Sequence, residues 1–147
     1  MFQKIMVCSD SSKEALEAVS VAADLAQKYS SKIELVCVYD PVLVPPPFAG
    51  MVDGVFETSL NYGALADETL ANSEREASVI LHQAGVAFTV HRELGHPVDR
   101  ITASAKDLGV NLIVLGSRGL GGFERVLLGS VSEGVLHHAH CAVLIVR

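Results

Sequence analysis

The chain has 147 residues, half of them hydrophobic, and a formal net charge of −6 at pH 7. A chain of that length buries roughly 70% of its unfolded surface as one domain, here expected to span residues 1–147. Basic residues form no run, so nucleic acid is not an expected partner, and no apolar run approaches the roughly 20 residues of a membrane helix.

The segment from Met1 to Val7 lacks a secretory pattern and reads as the beginning of a fold, which makes the cytoplasm the expected location. Cys8, Cys37 and Cys141 each fall in or beside a predicted strand, and an odd count leaves at least one unpaired. They read as buried thiols of a reducing compartment, too dispersed for a zinc site.

Phe2 to Cys8 is the first predicted strand, followed by a polar turn from Ser9 to Ser12. The first helix is expected from about Ser12 to Tyr29, with Leu16, Val19, Ala22, Ala23, Ala26 and Tyr29 on one face. Ser11 and Glu14 have the spacing of a capping box at its start. Lys32 to Tyr39 is the second strand. Regular pattern then fails from Asp40 to Gly63, where Pro41, Pro45 to Pro47, Gly50 and Gly54 occur among apolar residues. A loop of that length is expected either as a mobile flap over the sheet edge or a ligand, or as a disordered insertion.

The second helix is expected from about Ala64 to Ala84, with Leu65, Leu70, Ala77, Ile80 and Leu81 inward and Gly85 as its C-terminal stop. Val86 to Arg92 is the third strand. Pro97 suits the first position of a third helix that Gly109 closes. Leu112 to Leu115 is the fourth strand, buried on both faces, and Cys141 to Val146 the fifth. The alternation βαβαβαβαβ predicts an open α/β fold: a parallel five-stranded sheet with helices on both faces.

Between the fourth strand and the fourth helix lies a glycine-rich connection, Gly116 to Ser132. Val131, Val135 and Leu136 are spaced for one face of the helix that follows. Gly129 and Ser130 stand where that helix begins, and free N–H groups with a partial positive charge favour a phosphate there. The alternative is a plain capped loop, because Ser130 and Glu133 also fit a capping box. Neither Gly-x-x-x-x-Gly-Lys-Ser/Thr nor Gly-x-Gly-x-x-Gly is present.

The spacing Gly116-x-x-Gly119, nine residues, then Gly129-Ser130 resembles the phosphate-binding signature of the ATP-binding branch of the universal stress protein family. The likeness extends over Arg118 to Phe123 and Leu128 to Glu133, and across the chain from first strand to last. It implies a Rossmann-like sheet of the adenine-nucleotide α-hydrolase kind, in strand order 3-2-1-4-5. The turns after the first and fourth strands then meet at a switch-point crevice. The resemblance implies an ATP-binding stress-response protein. It places Cys8, Ser9 and Asp10 at the nucleotide, with Asp10 near ribose, phosphates or a nucleotide-bound Mg²⁺. Capping the first helix is the other role open to Asp10. The main chain of Val38 is implied to meet adenine, and Gly116, Arg118, Gly119, Gly129, Ser130, Val131 and Ser132 to surround the phosphates.

Arg125 reads as a solvated arginine, and His137, His138 and His140 as helix-end histidines that need no metal. No hydrolytic centre is evident, so binding, with nucleotide as a conformational or partner switch, leads over slow hydrolysis or an interaction module with an empty site. The apolar segment Cys141 to Val146, at a sheet edge in the implied order, is expected to pair with a second copy in a homodimer.

Overall fold

The structure, a computed structural model, describes residues 1–41, 55–120 and 128–147, with residues 55–62 described in backbone only. The elements are β1 (Lys4–Cys8), α1 (Lys13–Tyr29), β2 (Lys32–Tyr39), α2 (Val55–Gln83), β3 (Phe88–Leu94), α3 (Pro97–Asp107), β4 (Leu112–Gly116), α4 (Ser130–His138) and β5 (Ala142–Val146). All five strands are parallel, in the order β3-β2-β1-β4-β5, as the alternation and the implied winding predicted.

Alternating side chains divide the core between the two faces of the sheet. Ile5, Val7, Ile33, Leu35 and Cys37 pack with Val19 and Ala22 of α1 and Leu70 and Leu81 of α2. Met6, Cys8, Val36, Ile113 and Leu115 pack on the other face with Ile101 of α3 and Val135 of α4. The central strands are therefore apolar in both registers, which is why they read as continuous hydrophobic runs.

Several helix boundaries differ from the sequence expectation. Helix α2 begins at Val55 rather than Ala64, so part of the expected 40–63 loop is helical. Gly63, the expected end of that loop, lies inside the helix, since a helix already nucleated extends through one glycine at a cost of about 1 kcal/mol. The rest of that expected loop, residues 42–54, whether flap or insertion, lies outside the described residues, as does Arg125. Ser12, not Ser11, caps α1: its hydroxyl accepts from the Ala15 N–H at 3.3 Å. Tyr29 is 44% exposed and meets Phe2 edge-on instead of joining the buried face. In α4 the inward residues are Ser132 and Val135, and Leu136 faces out. Gly85 and Gly109 do end their helices, both with positive φ (67° and 62°).

The β3 strand starts at Phe88 instead of Val86, because the Val86 N–H is used by the turn, donating to the Leu81 carbonyl. All three cysteines are free; Cys8 and Cys37 are buried and Cys141 is half-buried. Among the described residues no helix is long and apolar enough to cross a membrane.

Candidate functional site

In this strand order the chain leaves β1 toward β2 and leaves β4 toward β5, so a crevice opens beyond the carboxyl ends of β1 and β4. Two loops meet there. The first, Ser9 to Ser12, is set by its own hydrogen bonds. The Ser9 N–H donates to the Val36 carbonyl (3.1 Å), the Ser9 hydroxyl accepts from the Ser11 N–H (3.3 Å), and Asp10 Oδ1 accepts from the Ser12 N–H (3.0 Å). Asp10 thus makes an Asx turn and leaves the capping of α1 to Ser12. Ser11 is held at φ 66°, a conformation that L side chains adopt rarely and that needs surrounding contacts to persist. One such contact is the Ser73 hydroxyl of α2, 3.4 Å from that of Ser11.

The second loop begins at Ser117. Its N–H donates to the Val146 carbonyl (2.7 Å), while its carbonyl accepts from the Gly129 N–H (2.7 Å) and lies 2.9 Å from the Ser132 hydroxyl. These bonds pin the end of β4 to the start of α4. The expected Ser130–Glu133 capping box is absent: Gly129 is the N-cap, no side chain caps the helix, and Ser130 is its first residue, exposed. Ser132 is 3% exposed and turns its hydroxyl inward to the Ser117 and Gly129 carbonyls. Val131 packs partly on the second core cluster. The start of α4 therefore presents uncapped main-chain groups and the exposed Ser130 outward, with the positive end of its dipole.

The two loops are joined. Asp10 Oδ2 accepts from the Leu120 N–H at 3.2 Å, and the Ser12 hydroxyl donates to the Arg118 carbonyl at 3.4 Å. The Arg118 guanidinium lies 3.3 Å from Glu14, so its first partner is a carboxylate of α1.

The glycines of the signature have different roles. A Cβ on Gly119 would lie 2.5 Å from Asp10 Oδ2, and a Cβ on Gly116 would lie 2.7 to 2.9 Å from the main chain of Glu14 and Ala15. Gly116 therefore permits α1 to pack against β4 and does not itself open the crevice. At Gly129 a Cβ would meet only ordinary contacts, the nearest at 3.4 Å.

Val38 is placed by register. The Val36 carbonyl accepts from Ser9 and the Tyr39 carbonyl accepts from Gly95, so even-numbered residues of β2 turn their main-chain groups toward β1. Because β1 ends at Cys8, opposite Val36, the N–H and C=O of Val38 face the crevice. The Cys8 thiol points into the second core cluster, where burial, then Cys37 and Asp10, push its pKa well above the usual thiol range. Cys8 can bring only its main chain to the site. Among the described residues no group of three or more His, Cys, Asp or Glu could hold a metal ion, and His138 instead rests against the Gly134 carbonyl at 2.8 Å.

The structure thus brings Ser9, Asp10, Val38, Arg118, Gly119, Gly129 and Ser130 to one crevice, and sets Gly116, the Cys8 thiol and the Ser132 hydroxyl behind it. Glu14 and the Leu120 N–H belong to this crevice, Ser73 supports its first loop through Ser11, and all three were missed. Glu14 had read as a capping residue, and neither a helix serine nor a main-chain N–H carries any local signal.

Comparison with known proteins gives the same fold. The chain is 34% identical to a universal stress protein of Synechocystis, over 99% of this chain and 98% of the relative. The solved universal stress protein UspA from Lactobacillus plantarum superposes with a TM-score of 0.80 at 25% identity, covering 99% of this chain and 98% of that one. A universal stress protein solved in complex with cAMP does so with a TM-score of 0.73 at 25% identity, covering 99% and 97%. The profile of the universal stress protein family matches residues 1–147. From its sheet order to its full-length sequence match, this chain belongs to the universal stress protein family.

Proposed function

We propose that the crevice binds ATP or another adenine nucleotide with Mg²⁺, and that the bound nucleotide acts as a conformational or partner-selection switch in a cytoplasmic stress-response protein. One observation carries this reading: α4 starts at a glycine, with no side-chain cap, beside the carboxyl ends of β1 and β4. Anions bind such helix starts through main-chain N–H groups and the helix dipole. The relative that was solved with cAMP supports an adenine nucleotide as the ligand class.

In this reading adenine meets the main chain of Val38, and the Ser9–Asp10 turn borders the ribose or the first phosphate. Gly119, Gly129, Ser130, Val131 and the Ser132 N–H surround the phosphates. Asp10 touches the metal, whose remaining ligands come from the nucleotide and water. The residues are compatible with this assignment: Gly119, lacking a Cβ, lets the Asp10 carboxylate approach the second loop, and the N–H of its neighbour Leu120 donates to that carboxylate, an anionic partner. Hydrolysis is at most slow, since transfer needs a positioned base and strong cationic stabilisation. The described crevice brings Asp10 and a guanidinium already engaged by Glu14.

A homodimer belongs to the same proposal. Among the described residues β5 pairs only with β4, and the other edge of Ala142–Val146 takes a second copy. Mass spectrometry of nucleotide released from purified, denatured protein tests the central claim. Adenine nucleotide near one per chain supports it. No nucleotide, together with no thermal shift in millimolar ATP and Mg²⁺, refutes it.

A further inference from the structure

The close packing at Gly116 places the first turn of α1 directly against the end of β4. Glu14 extends from that turn to Arg118, Oε1 to Nη2 3.3 Å, with both side chains largely withdrawn from solvent (23% and 32% exposed). The main chain of Arg118 lies over the start of α4, its Cα 3.5 Å from where a Gly129 Cβ would stand. Its guanidinium is nevertheless turned to Glu14, and its carbonyl is tied to Ser12. Asp10 reaches the same loop through Leu120. Among the described residues, the charged side chains that bridge the two loops are therefore Asp10, Glu14 and Arg118, two carboxylates against one cation.

We infer that Glu14 determines how many phosphate charges the crevice accepts: by holding the Arg118 guanidinium, it disfavours a metal-free triphosphate far more than a monophosphate. This rests on the adenine-nucleotide reading above. Interaction with a fixed charge scales with ligand charge, and a metal-free triphosphate carries about twice the charge of a monophosphate. An arginine free to turn back over Gly129 offers that anion a paired, charge-assisted donor. While Glu14 holds it, the triphosphate meets, among the described side chains, two carboxylates and no free guanidinium, and Mg²⁺ on the nucleotide relieves the mismatch. Glu14 acts through Arg118 and is a positioning residue.

Calorimetry on nucleotide-free protein tests this with ATP and AMP, each without Mg²⁺, and with ATP in excess Mg²⁺. Glu14→Gln keeps the size of the side chain, and its melting temperature reports the fold. The expected result is metal-free ATP bound about tenfold tighter by Glu14→Gln, AMP no more than about threefold tighter, and a smaller gain for ATP when Mg²⁺ is present. In an Arg118→Gln background the same change should alter ATP affinity less than about threefold. Equal changes for ATP and AMP, or a tenfold gain that survives in the Arg118→Gln background, overturn the inference while leaving nucleotide binding in place. No binding of either nucleotide by any variant overturns both.

Discussion

Asp10 and Gly119 occupy each other's space: a Cβ on Gly119 would stand 2.5 Å from the Asp10 carboxylate, which at the same time accepts the N–H of Leu120. One contact thereby joins the β1–α1 loop to the β4–α4 loop across the crevice. A side chain at 119 must displace the carboxylate, since the loop behind Asp10 is fixed by the Ser9, Ser11 and Ser12 bonds.

Gly116 and Gly119 should therefore separate fold from binding. Gly119→Ala moves one side chain at the mouth of the crevice, so nucleotide affinity should fall tenfold or more with a melting temperature within a few degrees of wild type. Gly116→Ala drives a methyl into the main chain of α1, an overpacking that costs about 1–3 kcal/mol and lowers the melting temperature whether or not nucleotide is present. Paired thermal melts and calorimetry check this, and the reverse pattern would assign the two glycines wrongly.

Nucleotide should stabilise the fold. At a hundred times the dissociation constant, linkage contributes about 2.7 kcal/mol. For a domain of this size that is a rise in melting temperature of about 5–10 °C. Differential scanning fluorimetry with an ATP–Mg²⁺ titration reads the shift, and Asp10→Ala should shrink it, most of all with the metal present.

Glu34 should give the protein an acid-sensitive limb. It sits in the middle of β2 with its side chain 3% exposed, 2.8 Å from His91 Nε2 and 3.3 Å from Lys32 Nζ. Burial raises its pKa, but hydrogen bonds from His91 and Lys32 outweigh this and leave it below the usual carboxylate value. A carboxylate whose pKa is lower folded than unfolded stabilises the fold above the unfolded pKa, about 4.3, and loses that contribution as pH falls through the folded value. Glu34→Gln should flatten the pH dependence of stability below about pH 5 while costing about 1–3 kcal/mol at pH 7. Urea melts across pH 3 to 7 test it, and an unchanged acid limb in the variant would remove Glu34 as its source.

The β5 edge can be probed without disturbing the core. Val146 turns its main chain toward β4, where its carbonyl accepts from Ser117, so by alternation Val143 turns its N–H outward. Val143→Pro removes an outward donor, which an edge strand tolerates, and adds no charge beside the core cluster that Val143 partly joins. The expected outcome in sedimentation is a wild-type dimer, twice the 15.6 kDa of the chain, and a folded monomer for the variant. A wild-type monomer at micromolar concentration would refute pairing through this edge.

The sequence by itself determined the alternation of elements and the parallel sheet, and the family resemblance implied their winding. Near-continuous apolar runs from Ile5, Ile33 and Leu112 suit strands buried on both faces of a parallel sheet, and Gly85, Pro97 and Gly109 punctuate the chain by backbone restrictions that act locally. The glycine spacing from Gly116 to Gly129 pointed to a crevice through the resemblance, whose strand order makes β1 and β4 neighbours. Only the tertiary structure decided which neighbour each of those residues serves. Ser12 rather than Ser11 caps α1, Gly116 makes room for a helix and Gly119 for a carboxylate, and Arg118 faces Glu14. Glu34 of the second strand is buried against His91, fifty-seven positions away. Each of these depends on what packs across the sheet or the crevice, and local periodicity carries no record of a partner so distant in the chain.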